Sequence, residues 1–358
     1  MSENPSILHI ITTLERGGAE KQLLVLVTKQ IQSGANVKVA YLKGQGSLKV
    51  NFEKAGAQVL PPNHFNLLIT LLKLIRMSQM IGPHVVHSHL PRAEIVGRIL
   101  VLLTNSKFIV SRHNSESFFP KSYNLVSSSL SRWVLLRAHC IICISEATRD
   151  FMIKNREIPE GVLERIRVIR YGFDDSFKPA QKGFNFNYCI GTISRLSFQK
   201  NISIQIEALD ILRKQSKAPW NLRIIGSGPL EVDLRKRVTS LGLDKYVNFV
   251  SHVSDVSFAL SEIDIFVLSS IYEGFGLVLL EAMQSNTPIL ASNVSAIPEV
   301  LGKDYAGLFN PRDPKELATL ILHLEEFNTR ESFTNSLKKR LSLFEPDMMC
   351  KAVMSAYE

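Results

Sequence analysis

The stretch EGFGLVLLEAM, residues 273–283, carries the strongest fold signal in the chain. The apolar residues 265–268 before it form a short, continuous run, as expected of a buried parallel strand. Residues 277–284 have the leucine content of a helix, and Gly274 and Gly276 lie in the loop between the two. Open α/β sheets bind ligands at the carboxyl ends of their strands. The sequence therefore predicts an α/β domain with a ligand site at this loop.

The same loop is suited to an anionic ligand. Gly274 and Gly276 have no side chains, so a ligand can approach the backbone closely. The first free N–H groups of the following helix would face such a ligand. Glu273 lies in the loop, and Glu281 lies about one turn into the helix, within reach of the rim of the predicted pocket.

Glu273 and Glu281, with Gly-Phe-Gly between them, resemble the E-x7-E motif of retaining GT-B glycosyltransferases, in particular the glycosyltransferase family 4 group. In that family the first glutamate lies by the donor sugar and the second binds the nucleotide ribose. The resemblance implies a catalytic position for Glu273. It also implies a donor-binding set at this loop: Glu273, Gly274, Phe275, Gly276, Leu277 and Glu281.

Length and composition suggest two cytoplasmic domains. The chain has 358 residues, of which 45% are hydrophobic, enough for two sizeable cores. It has no apolar run of membrane-spanning length, and residues 1–5 contain no basic signal segment. Cys140 and Cys143 form a C-x-x-C within an apolar, strand-like run. Residues three apart on a strand face opposite sides, so we expect no redox pair and a reduced protein.

Positive charge is concentrated in the first half of the chain. Residues 1–178 include 23 basic and 13 acidic residues, whereas residues 179–358 include 19 and 20. An anionic partner and a merely basic surface explain this difference equally well. The mixture of basic with apolar and aromatic residues is typical of a segment at a lipid headgroup layer and favours an anionic membrane surface as partner. The basic residues in this mixture are Lys73, Arg76, Lys121, Arg132 and Arg137.

The first glycine turn follows an apolar strand at residues 7–12. Gly17 and Gly18 would let backbone N–H groups approach a phosphate or the acceptor. Gly-Gly-x-Glu, ending in Glu20, resembles a family signature near the donor diphosphate and the acceptor. We assign Gly17 and Gly18 to the donor and Glu20 to the acceptor side. A tight turn without a ligand remains the alternative.

Histidines stand at the ends of two further predicted strands. His87 and His89 share one face of a strand, but no cysteine or acidic third ligand lies near them in sequence, so we expect no metal. His89 is predicted to line the cleft on the acceptor side, with a satisfied core histidine as the alternative. His113 fits the family's Ser-x-His pattern, so the resemblance places it near the donor sugar and the acceptor in a catalytic role. Ser145 ends the next strand, caps a helix and is assigned to the acceptor side.

The second domain is predicted to begin with a strand, a loop carrying Arg195 and Lys200, and a helix. These residues resemble the family's G-R-L-x-x-x-K-N, whose arginine and lysine hold the donor diphosphate. A leaving nucleoside diphosphate gains negative charge, which two fixed cations stabilise, so we assign both residues to donor binding and catalysis. A pair of solvated surface charges is the alternative. Gly226 and Gly228 resemble the family's I-x-G-x-G-P at the nucleotide site.

Two positions depart from the family pattern. Ser295 and Ala296 stand where Gly-Gly is usual, and Tyr171 stands where an asparagine is usual. The likeness otherwise covers nearly the whole chain.

We predict a GT-B fold, in which two doubly wound Rossmann-like α/β domains face a cleft. Residues 1–178 form the acceptor-side domain, residues 179–344 the nucleotide-sugar domain, and residues 345–358 a tail that returns to the first domain. No Asp-x-Asp occurs in the sequence. Arg195, Lys200 and helix N-termini can hold the diphosphate, so we expect neither a metal nor another cofactor.

The predicted function is retaining, metal-independent transfer of a hexosyl or N-acetylhexosaminyl group from a nucleotide sugar, with a UDP-sugar favoured. The predicted acceptor is a lipid-linked or membrane-held glycan in polysaccharide biosynthesis. The enzyme would be cytoplasmic and peripheral on the inner face of the membrane, without a nucleic-acid partner. Two alternatives remain: a nucleotide-sugar 2-epimerase on the same fold, and a non-catalytic nucleotide-sugar-binding partner of a transferase.

Overall fold

The computed structural model describes residues 5–62, 67–114, 118, 124–181, 186–251, 253 and 255–358. Its contacts divide the chain into two units. Unit 1 comprises residues 1–172 and 344–358, and unit 2 comprises residues 173–343. The first unit thus ends at Gly172, whereas the sequence placed the boundary at residue 178.

In the described part of unit 1, seven strands form one parallel sheet in the order β3-β2-β1-β4-β5-β6-β7. Strand order reverses between β1 and β4, which is the position where open α/β sheets bind ligands. The strands are β1 (Ser6–Ile11), β2 (Asn36–Tyr41), β3 (Gln58–Leu60), β4 (Val85–His89), β5 (Lys107–Arg112), β6 (Cys140–Cys143) and β7 (Ile166–Val168).

Helices connect these strands and cover the sheet. The helices of residues 5–172 are α1 (Gly18–Gln32), α2 (Lys49–Lys54), α3 (Leu67–Ile81), α4 (Pro91–Leu100), α5 (Asn124–Leu135) and α6 (Glu146–Lys154). Strands β4 and β6 are buried at every position, and β5 is buried at every position after Lys107, as expected of central strands covered on both faces. Their apolar side chains pack with those of α4 and α5 into one core.

Unit 2 repeats this architecture. Within its described residues six strands form a parallel sheet in the order β10-β9-β8-β11-β12-β13, so the strand order reverses between β8 and β11. The strands are β8 (Cys189–Ile193), β9 (Asn221–Ile225), β10 (Val247–Val250), β11 (Ile265–Leu268), β12 (Ile289–Ser292) and β13 (Leu308–Phe309). The helices are α7 (Ser203–Gln215), α8 (Glu231–Ser240), α9 (Val256–Ser261), α10 (Leu277–Gln284), α11 (Ile297–Leu301), α12 (Pro314–His323) and α13 (Phe327–Leu341).

The last helix, α14 (Pro346–Ser355), belongs to unit 1 and packs against α1. Its first residue lies against Gly172, where a Cβ atom would be only 2.6 Å from the Cα of Pro346. A larger residue at position 172 would therefore displace α14 from its packing position against α1.

The predicted fold class, two doubly wound parallel α/β domains, is confirmed. All four cysteines are free and buried, including Cys140 and Cys143 on β6. Among the described residues, no helix combines the length and the apolar character needed to cross a bilayer.

Candidate functional site

The strand-order reversal of unit 2 brings together the loops after β8 and β11. Lys200 lies in a 3-10 turn after β8, and Glu273 lies in the loop after β11. The Lys200 Nζ forms a short ion pair with Glu273 Oε1, and the Ser270 hydroxyl donates to the same oxygen at 2.7 Å. Glu273 is buried, whereas the Lys200 side chain is partly exposed. The two predicted residues thus form one charged pair.

Arg195 is the second predicted cation of this loop. Its side chain is exposed, and within the described residues it has no hydrogen-bond or ion-pair partner. An exposed guanidinium without a protein partner can bind an anionic ligand without breaking an existing ion pair.

Gly226 and Gly228 allow the loop after β9 to pack against the Arg195 loop. A Cβ atom at Gly226 would lie 1.9 Å from the Ser194 carbonyl oxygen, and one at Gly228 would lie 2.3 Å from that of Leu196. Gly226 also has a φ of +136°, which side-chain-bearing residues rarely adopt. The absence of side chains at these glycines therefore allows the two loop backbones to pack in direct contact.

Residues 273–283 form the predicted loop followed by a helix. Gly276 precedes α10 with a φ of 86° and a ψ of 60°, a left-handed conformation that favours glycine. Leu277 begins the helix, Glu281 lies on its second turn, and Phe275 is buried against the domain core. The backbone N–H groups of the first turn of α10 therefore follow Glu273 in one continuous loop–helix segment.

Ser295, which departs from the family's Gly-Gly, has a φ of 48°. This is again the left-handed region, where a non-glycine residue is uncommon. The loop after β12 therefore has a backbone conformation suited to glycine although serine occupies it.

A concave region of unit 2 lies beside the Lys200 turn. It has a volume of about 820 Å³, and its lining includes Phe198, Ile271, Asn310 and Arg312. None of the predicted donor residues lines it. The Lys200–Glu273 pair and the start of α10 lie instead at the loops after β8 and β11.

In unit 1, Gly17 precedes α1 and Gly18 is its first residue. Glu20, in the first turn, is buried and accepts a hydrogen bond from the Thr13 hydroxyl at 2.5 Å. The Glu20 carboxylate also helps to raise the pKa of Tyr171, although burial is the larger cause. Glu20 and Tyr171 therefore belong to one polar region at the carboxyl end of the sheet.

Three buried histidines and the partly buried His113 meet at the reversal point of the unit 1 sheet. His9 on β1 is the register partner of His87 on β4, and His89 follows two residues later on the same face. His9 Nδ1 is 3.0 Å from His89 Nε2, and His89 Nδ1 is 2.9 Å from His113 Nε2. His113 Nδ1 forms a short hydrogen bond with the Tyr171 hydroxyl. His89 is thus a fully partnered core histidine that contacts His113.

All four histidines are held neutral by burial. Burial lowers the pKa of His9 to about 4, despite its hydrogen bond to Gln30, and that of His113 to about 3, with Arg112 adding to the effect. The pKa values of His87 and His89 lie well below the usual range, first because of burial and then because neighbouring histidines would repel the charge. At neutral pH each ring therefore has one N–H donor and one acceptor.

His9, His87 and His89 lie close enough to hold a metal ion, with one ligand atom from each within 4.8 Å of the others. Every ring nitrogen of the three already has a hydrogen-bond partner, those of His87 being the Tyr357 hydroxyl and Ser111 Oγ, both at 2.8 Å. A metal would have to displace several of these hydrogen bonds. The cluster is satisfied as a neutral hydrogen-bonded network.

Ser145 has the predicted capping role. Its hydroxyl accepts from the Thr148 backbone N–H at 3.0 Å at the start of α6, so that prediction is confirmed. Its acceptor-side assignment stays a prediction.

The structure brings some of the predicted residues into contact and shows further residues that the sequence analysis did not identify. It pairs Lys200 with Glu273 in unit 2 and His89 with His113 in unit 1. Sequence analysis missed His9, Gln30, His87 and Tyr357 as members of the histidine network. A histidine inside an otherwise apolar strand was the available signal for His9. Lys121 lies outside the described residues.

Two family models match consecutive parts of the chain. The model described as Glycosyltransferase Family 4 matches residues 16–177, and the model described as Glycosyl transferases group 1 matches residues 175–340. The chain therefore belongs to the group 1, family 4 type of glycosyltransferases, enzymes that act on nucleotide sugars and have the GT-B fold.

Named glycosyltransferases are similar to this protein over most of the chain. The capsular polysaccharide biosynthesis glycosyltransferase CapM of Staphylococcus aureus is 23% identical, over 99% of this chain and 97% of its own. A UDP-Gal:alpha-D-GlcNAc-diphosphoundecaprenol alpha-1,3-galactosyltransferase of Escherichia coli is 27% identical, over 75% of this chain and 68% of its own. The solved structure of Anabaena HepE with UDP and glucose has a TM-score of 0.83 at 21% identity, covering 98% of this chain and 99% of that one.

Proposed function

We propose that this glycosyltransferase transfers a hexosyl or N-acetylhexosaminyl group from a UDP-sugar, with retention of configuration and without a metal, to a lipid-linked or membrane-held glycan. The Lys200–Glu273 pair at the strand-order reversal of unit 2 is the observation that carries the proposal. UDP is named as a ligand of the HepE structure, and a UDP-sugar with a diphosphoundecaprenol-linked acceptor is named for the Escherichia coli relative. Retention rests on the resemblance of the Glu273–Glu281 motif.

The proposed division of work in unit 2 follows from charge. Arg195 and Lys200 bind the diphosphate and stabilise the charge that grows on it as the glycosidic bond breaks. Glu273 keeps the Lys200 ammonium at the loop before the donor arrives, and it lies by the donor sugar. Glu281 binds the ribose, and the N-terminus of α10 adds N–H donors toward the phosphates. These groups supply the charge compensation that a metal would otherwise provide.

Arg195→Ala is expected to weaken UDP binding by roughly 10- to 150-fold, because one charge-assisted contact contributes about 1.5–3 kcal/mol. Calorimetric titration with UDP measures this change. Lys338→Ala, which removes one exposed charge from α13 of the same unit, is the matched control and should leave the Kd unchanged.

The same proteins test the reaction. UDP release from a UDP-sugar in the presence of an undecaprenyl-diphosphate-linked sugar should persist in EDTA and should fall in the Arg195→Ala variant. Loss of release on chelation would refute metal independence. Unchanged UDP affinity in the Arg195→Ala variant would remove the diphosphate role, and an epimerised UDP-sugar as the product would replace transfer by isomerisation.

The membrane-held acceptor is supported by one surface of unit 1. Helix α3 packs on α4, and α4 packs on α5. Exposed apolar side chains stand on this surface, with Leu72 and Leu136 each 56% exposed and Met80 79% exposed. Lys73 and Arg76 share the exposed side of α3 with Leu72 and Met80. Such a mixture binds the headgroup layer of a bilayer without spanning it.

The excess of basic residues in unit 1 also supports a membrane-binding role for this surface. Counted over the structural units, unit 1 has 23 basic and 14 acidic residues, whereas unit 2 has 19 of each. Arg195 and Lys200 lie in unit 2, so binding of the donor diphosphate by this pair leaves the excess of unit 1 unexplained. Each cation near an anionic surface contributes about 1 kcal/mol, so a handful gives reversible attachment.

We expect the protein to co-sediment with anionic vesicles but not with neutral ones, with binding lost as salt is added. Replacing Leu72 and Met80 by serine should weaken vesicle binding about tenfold or more, because apolar area no longer enters the bilayer. The matched control is Val232→Ser, an exposed apolar residue on α8 of unit 2. Equal and negligible sedimentation with both vesicle types at low salt would leave the basic surface as a solubility feature.

A further inference from the structure

His113 belongs to a continuous chain of hydrogen bonds through unit 1. The chain runs from the Tyr171 hydroxyl to His113, then to His89, then to His9, and ends at Gln30 Oε1, 2.8 Å from His9 Nε2. Its four internal hydrogen bonds connect β1, β4 and the segment that follows β5 with α1. His9, His89 and Gln30 are fully or almost fully buried, so water does not compete for the hydrogen bonds between them.

The amide of Gln30 sets the donor-to-acceptor direction of every hydrogen bond in this series. Its Nε2 can only donate, and it donates to the Tyr357 hydroxyl at 3.0 Å, so its Oε1 accepts from His9 Nε2–H. A neutral imidazole with its proton on Nε2 has a lone pair on Nδ1. His9 Nδ1 must then accept from His89 Nε2–H, and His89 Nδ1 from His113 Nε2–H. The last ring, His113, accepts from the Tyr171 hydroxyl at Nδ1.

A branch of the same network keeps the amide in this orientation. The Tyr357 hydroxyl accepts from Gln30 and donates to His87 Nδ1 at 2.8 Å, which leaves His87 Nε2–H to donate to Ser111 Oγ, also at 2.8 Å. Met354 Sδ lies 3.8 Å from Gln30 Nε2, on the same side as Tyr357. Every bond of the network is thus satisfied by one set of tautomers, with all four histidines neutral.

We propose that Gln30 is a positioning residue that fixes the tautomer of His113, with the proton on Nε2 and a lone pair on Nδ1, through His9 and His89. The inference rests on the proposed function in so far as His113 acts on the substrate. An amide does not pass protons along as an imidazole does, so the chain sets the direction of its hydrogen bonds and is closed to proton transfer at Gln30.

The fixed tautomer has a consequence for the substrate. A cavity of about 30 Å³, large enough for a water molecule, is bordered by His89, His113 and Tyr171. The edge of His113 that faces Tyr171 presents an acceptor. A substrate hydroxyl that takes the place of the Tyr171 hydroxyl therefore meets an acceptor for its proton and not a competing N–H donor.

The tautomer is measured directly by NMR of the ring nitrogens in histidine-labelled protein, with resonances assigned from single histidine substitutions. In the wild-type protein His9, His89 and His113 should each show a protonated Nε2 and an unprotonated Nδ1 at neutral pH. Gln30→Leu removes the terminal acceptor and should shift His113 toward a mixture of tautomers. Gln30→Glu keeps an acceptor for His9 and should restore the wild-type pattern at His113. Met354→Leu, a swap of similar volume beside Gln30, is the packing control and should change no tautomer.

Turnover provides a second readout. Gln30→Leu should lower kcat by roughly 10- to 100-fold, the range of losses that follows removal of the outer hydrogen-bond partner of a metal-binding histidine. In a His113→Ala background the same substitution should have no further effect. Unchanged tautomers in the Gln30→Leu variant, a protonated Nδ1 in wild-type His113, or zinc uptake by the histidines that displaces these bonds would overturn the proposal. Full activity of His113→Ala would instead refute the proposed role of His113, and the NMR result would still decide the role of Gln30.

Discussion

Unit 1 is expected to unfold in mild acid, at a pH where unit 2 is still folded. Unfolded histidines take up protons below their ordinary pKa of 6.5, whereas folded His9 and His113 stay neutral down to about pH 4 and pH 3. His87 and His89 have pKa values lowered well below the ordinary one. The unfolded state therefore binds more protons, so the stability contributed by neutral burial is full above pH 6.5 and is lost as the pH falls.

The expected size of the effect is large. Each histidine that stays neutral in the folded state lowers the free energy of unfolding by about 1.4 kcal/mol per pH unit below its unfolded pKa. Glu94 and Glu157 act in the opposite direction, because burial raises the pKa of both, that of Glu94 to about 7, and their folded forms keep protons that the unfolded forms lose. With this compensation the net slope is roughly 3 kcal/mol per pH unit. Two pH units then remove most of a typical stability.

Urea unfolding at a series of pH values between 7.5 and 5 measures the slope. The chain has two tryptophans, Trp133 in unit 1 and Trp220 in the core of unit 2, so a Trp133→Phe variant reports on unit 2 alone by fluorescence. Circular dichroism of the same variant reports on both units. Parallel pH dependence of the two signals would contradict the assignment to the histidine network.

Arg112→Met is expected to destabilise unit 1 by about 3–5 kcal/mol, the cost of leaving buried charges without their partner. Arg112, the last residue of β5, is 4% exposed. Its guanidinium lies 3.0 Å from Glu94 Oε2 and 3.0 Å from Glu157 Oε2, and it donates to the Ser131 hydroxyl at 2.8 Å. Arg112 is thus the cationic partner of two buried carboxylates. Its loss would leave both carboxylates buried without a neighbouring positive charge.

The destabilisation should be larger at pH 8 than at pH 6. Burial already raises the pKa of Glu94 and Glu157, and Arg112 opposes this rise. Without the guanidinium both pKa values rise further, so the folded state must hold protons that the unfolded state releases at alkaline pH. Arg112→Met combined with Glu94→Gln and Glu157→Gln removes all three charges and should recover much of the loss. An Arg112→Met protein with the wild-type urea midpoint at pH 8 would disprove this role of the cluster.

The Arg112 cluster also bears on the site, because His113 directly follows Arg112. The ion pairs fix the end of β5 from which His113 extends toward His89 and Tyr171. Part of the effect of Arg112→Met on activity should therefore be a displacement of His113. Comparison of turnover at equal folded fraction separates this displacement from simple unfolding.

The sequence by itself determined the elements that depend on local chemistry. Short apolar runs followed by glycine turns predicted the strands and the loops after them, because a buried parallel strand and a close backbone approach each need particular residue types. The loop and helix of residues 273–284 follow this rule, as do the cap at Ser145 and the loop that carries Arg195 and Lys200.

Only the tertiary structure decided which of these residues meet. Lys200 and Glu273 are far apart in sequence and pair because the strand order reverses between β8 and β11. The histidine network depends on the register that sets His9 beside His87, and on the return of the chain that places Tyr357 against His87 across 270 residues. Strand register and long-range return are set by the packing of whole domains, so no local pattern encodes them. A lone histidine in an apolar strand therefore looks like an exception in the sequence, although in the folded unit it is the link between Gln30 and His89.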